Sequence, residues 1–441
     1  MGITSAMYSG VSGINTNSQA MTVIGNNLAN TNTVGFKGSR TIFSDLMSST
    51  IFGSGGASQV GRGVGVSKID SIFSQGTFES TSTNTDLAIE GDGFFMLKEV
   101  GNNTTFYSRA GAFRFNQEGF LVNPEGFRVQ GQGFDAVTGK VIPGDPKDIF
   151  VASSGLIPAK ATDSLTLNSN LDSSTVAIAA GTGIVDPADP ATYNTHFNPA
   201  NPSTYNYAAS TQTYDTLGNP HLVTTYFRKD DTATNTWNWY WTAEDSQGNP
   251  LGNVVGDPPE GTIVFTDTGL LDKTIAGNGT GAIAASALAW ANGSTDTGIT
   301  MNFDTTQFNN ASRVISQNQN GYASGDLTNV SINGSGVVVA SYSNGQQINV
   351  AAITLAKFAN PGGLNLVGSN MFTATDVSGT PRVGLPGPEL GSIFTNSLEQ
   401  SNVDMGLEFV NMITVQRGFQ ANSKIITTVD ELLGELINLK R

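Results

Sequence analysis

The chain has 441 residues, 13% of them charged, a net charge of −15, 52 glycines and no cysteine. Without cysteine there is no disulfide framework, thiolate metal site or cysteine nucleophile, and the acidic balance offers no basic face for nucleic acid or anionic lipid. No stretch approaches 18 apolar residues, so no membrane insertion is expected, and the length exceeds what a single core usually organises.

The opening MGITSAMYSG lacks the basic and apolar regions of a cleavable signal. Ala6 stands where a myristoylation pattern wants Ser or Thr. Ile3, Met7, Ile14, Met21, Ile24 and Leu28 share one heptad frame, which predicts a helix over residues 3–28. Gly10, Gly13 and Gly25 lie inside it, each weakening it by about 1 kcal/mol relative to Ala. The Asn- and Thr-rich run from Asn26 to Lys37 should end the helix, because these side chains compete for backbone hydrogen bonds and Gly35 permits a positive φ.

Residues 38–70 read as a connector, with Ile42, Phe43, Leu46 and Met47 at helical spacing and a flexible run from Phe52 to Gly65. From Val66 to about 155 the pattern is β, including Leu87-Ala88-Ile89, Phe94 to Leu97, Tyr107, Phe113-Arg114-Phe115 and Phe120-Leu121-Val122. Turn residues fill 116–119 and 123–126. The run Pro143 to Pro158 suggests a boundary. A second β unit follows over 157–318, where Leu165/Leu167, Leu222/Thr224/Tyr226 and Trp237/Trp239/Trp241 alternate. Within it Gly181 to Pro202 reads as a surface excursion, and residues 326–395 return to short strands.

The last stretch, Ser401 to Arg441, reads as a long helix. Ile425, Val429, Leu432, Leu436 and Leu439 form an a/d seam, extended upstream by Val403, Leu407 and Val410. Ser401 or Asn402 should cap its start, with Asp404 and Glu408 near the positive end of the dipole and Lys440 and Arg441 at the negative end. Gly418 and Gly434 weaken this helix too. An isolated pair of such helices should be loose, so neighbouring copies are expected to order them.

No catalytic residue, cofactor or metal is expected. His196 and His221, the only histidines, stand outside any HExxH setting. The glycines from Gly133 to Gly139 are wrongly spaced for a phosphate loop, and Val141, not Ser or Thr, follows Lys140. Gly61, Gly63 and Gly65 lack a strand-then-helix context. Asp215 to Asn219 and Asp245 to Asn249 read as hairpin turns in preference to calcium loops. Trp237, Trp239 and Trp241 read as core or an intersubunit face ahead of a sugar platform.

The residues Asn26, Asn27, Leu28, Ala29, Asn30, Thr31, Thr33, Gly35, Phe36 and Lys37 resemble the amino-terminal signature of the bacterial flagellar rod and hook axial proteins. Gln75-Gly76, Asp86 to Phe95, Tyr107 to Phe113 and Gly119 to Asn123 are similar to further blocks of that family. Ser401 to Asp404, Glu408-Phe409, Met412-Ile413, Gln416, Arg417, Phe419, Gln420, Ala421, Asn422 and Ser423 resemble its carboxyl-terminal motif. The resemblance covers about residues 1–155 and 320–441. Tyr214 to His221, Asn320 to Leu327 and Tyr342 to Gly345 resemble hook-type blocks. These, with the length and the central insertion, favour the hook branch over the shorter rod relatives.

The resemblance implies a mainly β chain with α-helical termini, in which terminal coiled-coil helices flank nested, discontinuous β domains. The expected division is a helical part (1–30 and 397–441), a connector (31–70), an inner β domain (71–156 and 319–396) and an inserted outer β domain (157–318). It further implies a homo-polymer, a curved flexible tube that transmits torque from rod to filament, built through the two heptad seams. Expected partners are the flagellar rod, hook cap, hook-length control and hook–filament junction proteins, and the type III export gate. The protein would leave the cell without a cleavable signal. The alternatives are a distal-rod subunit, or a secreted β-rich carbohydrate-binding or adhesive module that leaves both heptad seams unexplained.

Overall fold

Two long helices at opposite ends of the chain bracket an otherwise β structure: α1, Gly2–Ala29, and α2, Met405–Leu439. The computed structural model describes residues 2–53, 56–102, 104–135, 139–151, 155–179 and 196–439. The chain divides into two compact units, one formed by 1–155, 328–341 and 347–441, the other by 156–327 and 342–346.

In the first unit α1 stops where its sequence turns polar, and Asn30 N donates to the carbonyls of Asn26 and Asn27. Gly35 follows with φ +70°, pressed so closely on Ala110 that a Cβ would stand 2.5 Å from its main-chain nitrogen. The helical spacing at 42–47 does not become a helix. Strand Ser39–Asp45 pairs antiparallel with Val64–Ser71, and Ser49–Gly53 with Gly56–Val60. Six residues are too few for a helix that is stable by itself, and the β-branched and aromatic side chains suit a pleated strand. The expected flexible run is therefore largely a hairpin. Its stem is tied to α1, since Val64 N donates to Ser12 Oγ at 3.2 Å.

The main sheet of this unit runs, in spatial order, Val337–Tyr342, Gln347–Ile353, Arg128–Gly133, Phe94–Lys98, Thr105–Ser108, Met371–Thr373 and Asn365–Gly368. Its core gathers Phe94, Phe95, Leu97, Leu121, Val129, Ile353 and Leu355, all sealed from solvent. Edge-to-face rings such as Tyr107–Phe358, centroids 4.8 Å apart, add packing beyond area burial.

The second unit has two five-stranded sheets. In one, Ser164–Asp172 runs parallel to Ile299–Phe303 and Thr306–Phe308 and antiparallel to Arg313–Gln319. The other is built on the meander Tyr207–Tyr214, Pro220–Lys229, Thr236–Glu244 and Pro250–Gly252. Period-two alternation sends Trp237, Trp239 and Trp241 to one face, where they pack with Leu165, Leu167, Phe227, Met301 and Phe303. All three tryptophans are buried, so they form core and offer no sugar platform. On the opposite face Phe197 stacks on Tyr240, centroids 4.1 Å apart. Residues 181–195 of the expected surface excursion lie outside the described residues. The part from 196 onward is no excursion at Phe197 and Asn198, which are both buried.

The hairpin ends repeat one device. Asp215 Oδ1 accepts from Leu217 N and Asn219 N, and Asp245 Oδ1 accepts from Gln247 N and Asn249 N. The carboxylate substitutes for a backbone acceptor, and Gly218 and Gly248 supply the positive φ that closes each turn.

Candidate assembly surface and its buried anchor

Small residues of α1 let α2 approach closely, Gly10 against Ile425 and Ile426 and Gly13 against Asn422. Gly10, Gly13, Thr16, Ala20, Ile24 and Asn27 are the buried positions among the described side chains of α1, recurring every three or four residues. A Cβ on Gly10 would lie 3.2 Å from Ile426 Cγ1, and one on Gly418 would lie 3.1 Å from Asn17 Oδ1. The polar members are satisfied within their own helices: Asn17 Nδ2 donates to Gly13 O at 2.7 Å and Asn422 Nδ2 to Gly418 O at 2.8 Å. Glycines that weaken each helix alone are thus what lets the pair approach closely.

The residues of the two expected seams are largely uncovered within one chain. Among them only Ile24 and Val429 are buried, while Ile14, Met21, Leu28 and Val403 are half-buried. Met7, Leu407, Val410, Ile425 and Leu432 are exposed, Leu407 and Val410 at 61%. The side chains of Ile3, Leu436 and Leu439, and residues 440–441, lie outside the described residues. Val11, Phe409, Ile413 and Phe419 are exposed as well, so the helix pair of one chain carries a long apolar surface with no cover of its own. Phe419, Gln420, Ser423, Lys424, Thr427 and Glu431 line a groove of about 410 Å³ on α2.

At the base of α2 the cap is Asp404, whose Oδ1 accepts from Leu407 N at 3.1 Å, and neither Ser401 nor Asn402 fills that role. Asn402 instead stitches segments together. It accepts from Gly38 N at 2.8 Å and donates to Ile72 O at 2.7 Å. Asn27 does the same for the hairpin, donating to Ser39 O at 2.7 Å and accepting from Ser39 N at 2.9 Å.

Beside these lies a buried charge cluster. Lys37 Nζ is 2.6 Å from Glu399 Oε1, with both side chains fully shielded from solvent. Lys37 Nζ also donates to Ser74 O at 2.8 Å, and Gly76 N donates to the same Glu399 oxygen at 2.9 Å. Glu399 O accepts from Gly35 N at 2.7 Å. Arg109 Nη1 stands 3.5 Å from Glu399 Oε2, and its guanidinium lies 4.9 Å above the Phe94 ring. Burial pushes the Lys37 ammonium below its ordinary pKa against the opposing pull of Glu399, and it acts on Arg109 in the same sense.

The amino-terminal signature therefore divides. Asn27, Gly35, Phe36 and Lys37 are buried in the anchor, Leu28, Asn30, Thr31 and Thr33 are half-buried, and Asn26 and Ala29 are exposed. On α2, Gln416, Arg417, Phe419, Gln420 and Ala421 face solvent and Asn422 is half-buried against Gly13. Reading the sequence missed Glu399 and Arg109 as partners of Lys37. No local pattern marked them, since Glu399 ends a three-residue Ser-Leu-Glu strand.

Four family models match in chain order. They are the flagella basal body rod protein over residues 7–37, the flagellar hook protein FlgE/F/G D1 domain over 88–159, the flagellar basal body protein FlaE D2 domain over 170–322, and the flagellar basal body rod FlgEFG protein C-terminal over 395–439. The flagellar hook protein FlgE of Borreliella burgdorferi is 36% identical over 99% of both chains. That of Escherichia coli is 34% identical over 99% of this chain and 100% of its own. A crystal structure of Helicobacter pylori flagellar hook protein FlgE2 shares the fold with a TM-score of 0.51, at 14% identity, over 73% of this chain and 100% of its own.

Proposed function

The chain belongs to the flagellar hook protein family and is a structural subunit of the hook, and from that premise we propose that copies polymerise through the open apolar faces of α1 and α2 into a curved, hollow tube. The observation that supports this most is the exposure of Leu407, Phe409, Val410 and Ile413 along one terminal helix. Covering a side chain of this kind contributes roughly 1.5–3 kcal/mol, so a few per subunit offset the cost of association once repeated along a polymer.

In this reading the helical part (1–30 and 397–441) forms the tight inner layer, with the connector 31–70, an inner β layer (71–156 and 319–396) and an outer β layer (157–318) around it. Outer contacts that are polar and wet can be remade cheaply as the tube bends on each turn while carrying torque. The subunit would be exported unfolded through the type III gate. It would meet the rod at one end, the cap and length-control proteins during growth, and the junction proteins afterwards.

Electron microscopy of the purified full-length protein should show curved tubes. Removing residues 403–441 should abolish them, and deleting 157–318 should change bending stiffness. Tubes that persist without 403–441 would overturn the helical seam, and straight rigid polymers would favour a distal-rod subunit.

A further inference from the structure

The cluster of Lys37, Glu399 and Arg109 is too costly, and too incompletely satisfied, to be explained as a source of stability. Taking three charges out of water carries a penalty that mutual attraction repays only when geometry and hydrogen bonding are excellent. Here one contact is good, Lys37 to Glu399 at 2.6 Å, and the other, Arg109 Nη1 to Glu399 Oε2, is 3.5 Å long. Among the described residues, Arg109 Nε and Nη1 and Glu399 Oε2 make no hydrogen bond within the protein. Apolar side chains of the same bulk would fill the space without burying charge, at the smaller cost of parting Ser74 O and Gly76 N from their partners. What the cluster does have is connectivity. Lys37 follows α1, Glu399 precedes α2, Arg109 belongs to the β part of the same unit, and Ser74 and Gly76 close the ring from the segment after the hairpin.

We infer that Lys37, Glu399 and Arg109 are positioning residues that fix the direction in which the helix pair leaves the β part of its unit. The directionality comes from the pairing: an ammonium, a carboxylate and a guanidinium fit in one arrangement, whereas an apolar plug tolerates several. In a helical polymer a small change of that direction is repeated at every subunit, so it would appear as altered twist and curvature. The inference deepens the assembly reading and rests on it for its meaning in the tube.

The test compares wild type, the apolar triple variant Lys37→Met/Arg109→Met/Glu399→Leu, and the single variant Glu399→Gln. Because the chain has no cysteine, Asp430→Cys on α2 and Asp376→Cys on the β part can carry a spin-label pair in each background. The triple variant should keep its unfolding midpoint within about 5 °C of wild type. Glu399→Gln, which leaves two cations unpaired, should unfold at a clearly lower temperature. The spin-label distance distribution of the monomer should be broader in the triple variant than in wild type, and the variant's tubes should show scattered curvature. A triple variant that fails to fold, or whose midpoint falls by more than about 10 °C, would assign the cluster to stability and overturn the inference. A triple variant whose distance distribution is neither broader than that of wild type nor shifted from it would overturn it equally. Since the distance is read on monomers, failure of wild type to form tubes would count against the assembly reading alone.

Discussion

A Cβ placed on Gly13 would stand 2.6 Å from Asn422 Cγ. The two ends of the chain meet where one helix has no side chain, and that contact predicts an unusual mutational response. Gly13→Ala gains about 1 kcal/mol of helix propensity. It also pushes Asn422 off the Gly418 carbonyl, an overpacking loss of roughly 1–3 kcal/mol. The net should be a lower unfolding midpoint by circular dichroism at the helical band. Gly13→Ala/Asn422→Ala should recover the loss, and simple additivity of the two changes would contradict the contact. Gly25, with nothing within 4 Å, should instead gain about 1 kcal/mol as Ala in the monomer.

Val410 is 61% exposed on α2. Val410→Asp should therefore change monomer stability by less than about 0.5 kcal/mol. In a polymer that buries this face the same change places a carboxylate in an apolar contact, and sedimentation should show polymerisation suppressed. Unchanged tube formation would remove this stretch of α2 from the interface.

The second unit should be acid-sensitive through Asp215, which is 1% exposed as a residue. Burial opposes ionisation, yet hydrogen bonds from Asn219, Asn292 and His221 hold the carboxyl well below its ordinary range. A depressed folded-state pKa stabilises above the unfolded value and is lost as protons bind, so the loss falls below about pH 4. All four tryptophans, at 237, 239, 241 and 290, lie in this unit, and Trp290 stacks on His221 with centroids 3.8 Å apart. Tryptophan fluorescence should follow the loss. Asp215→Asn should be less stable at neutral pH and show a flatter acid limb, and an unaltered limb would dismiss Asp215 as its cause.

Trp239 is the test of that unit's core. It is 2% exposed, and Gly261 and Gly281 leave room for its ring. Trp239→Ala should cost about 3–5 kcal/mol in chemical denaturation followed by the remaining tryptophans. A loss under about 1 kcal/mol would mean the ring is not packed as described.

Much of this was written locally. The apolar period marked both terminal helices, the Asx-x-x-Gly runs marked hairpin turns, and the alternation of Trp237, Trp239 and Trp241 marked a strand. Local reading went wrong where two patterns compete on a short run. Ile42 to Met47 fits a helical stripe as well as a strand, and only pairing with Val64–Ser71 settles it.

The sequence alone determined the mainly β class, the helical ends, the absence of cysteine chemistry and the family signature, because each depends on residues close together along the chain. Tertiary structure decided which faces of the helices touch. It set Gly10 against Ile425 and Ile426 and Gly13 against Asn422 where α1 meets α2, and left Leu407 and Val410 uncovered. It also decided that Lys37 meets Glu399, 362 positions away. No local period encodes such a meeting, because a buried charge chooses its partner by what surrounds it in space.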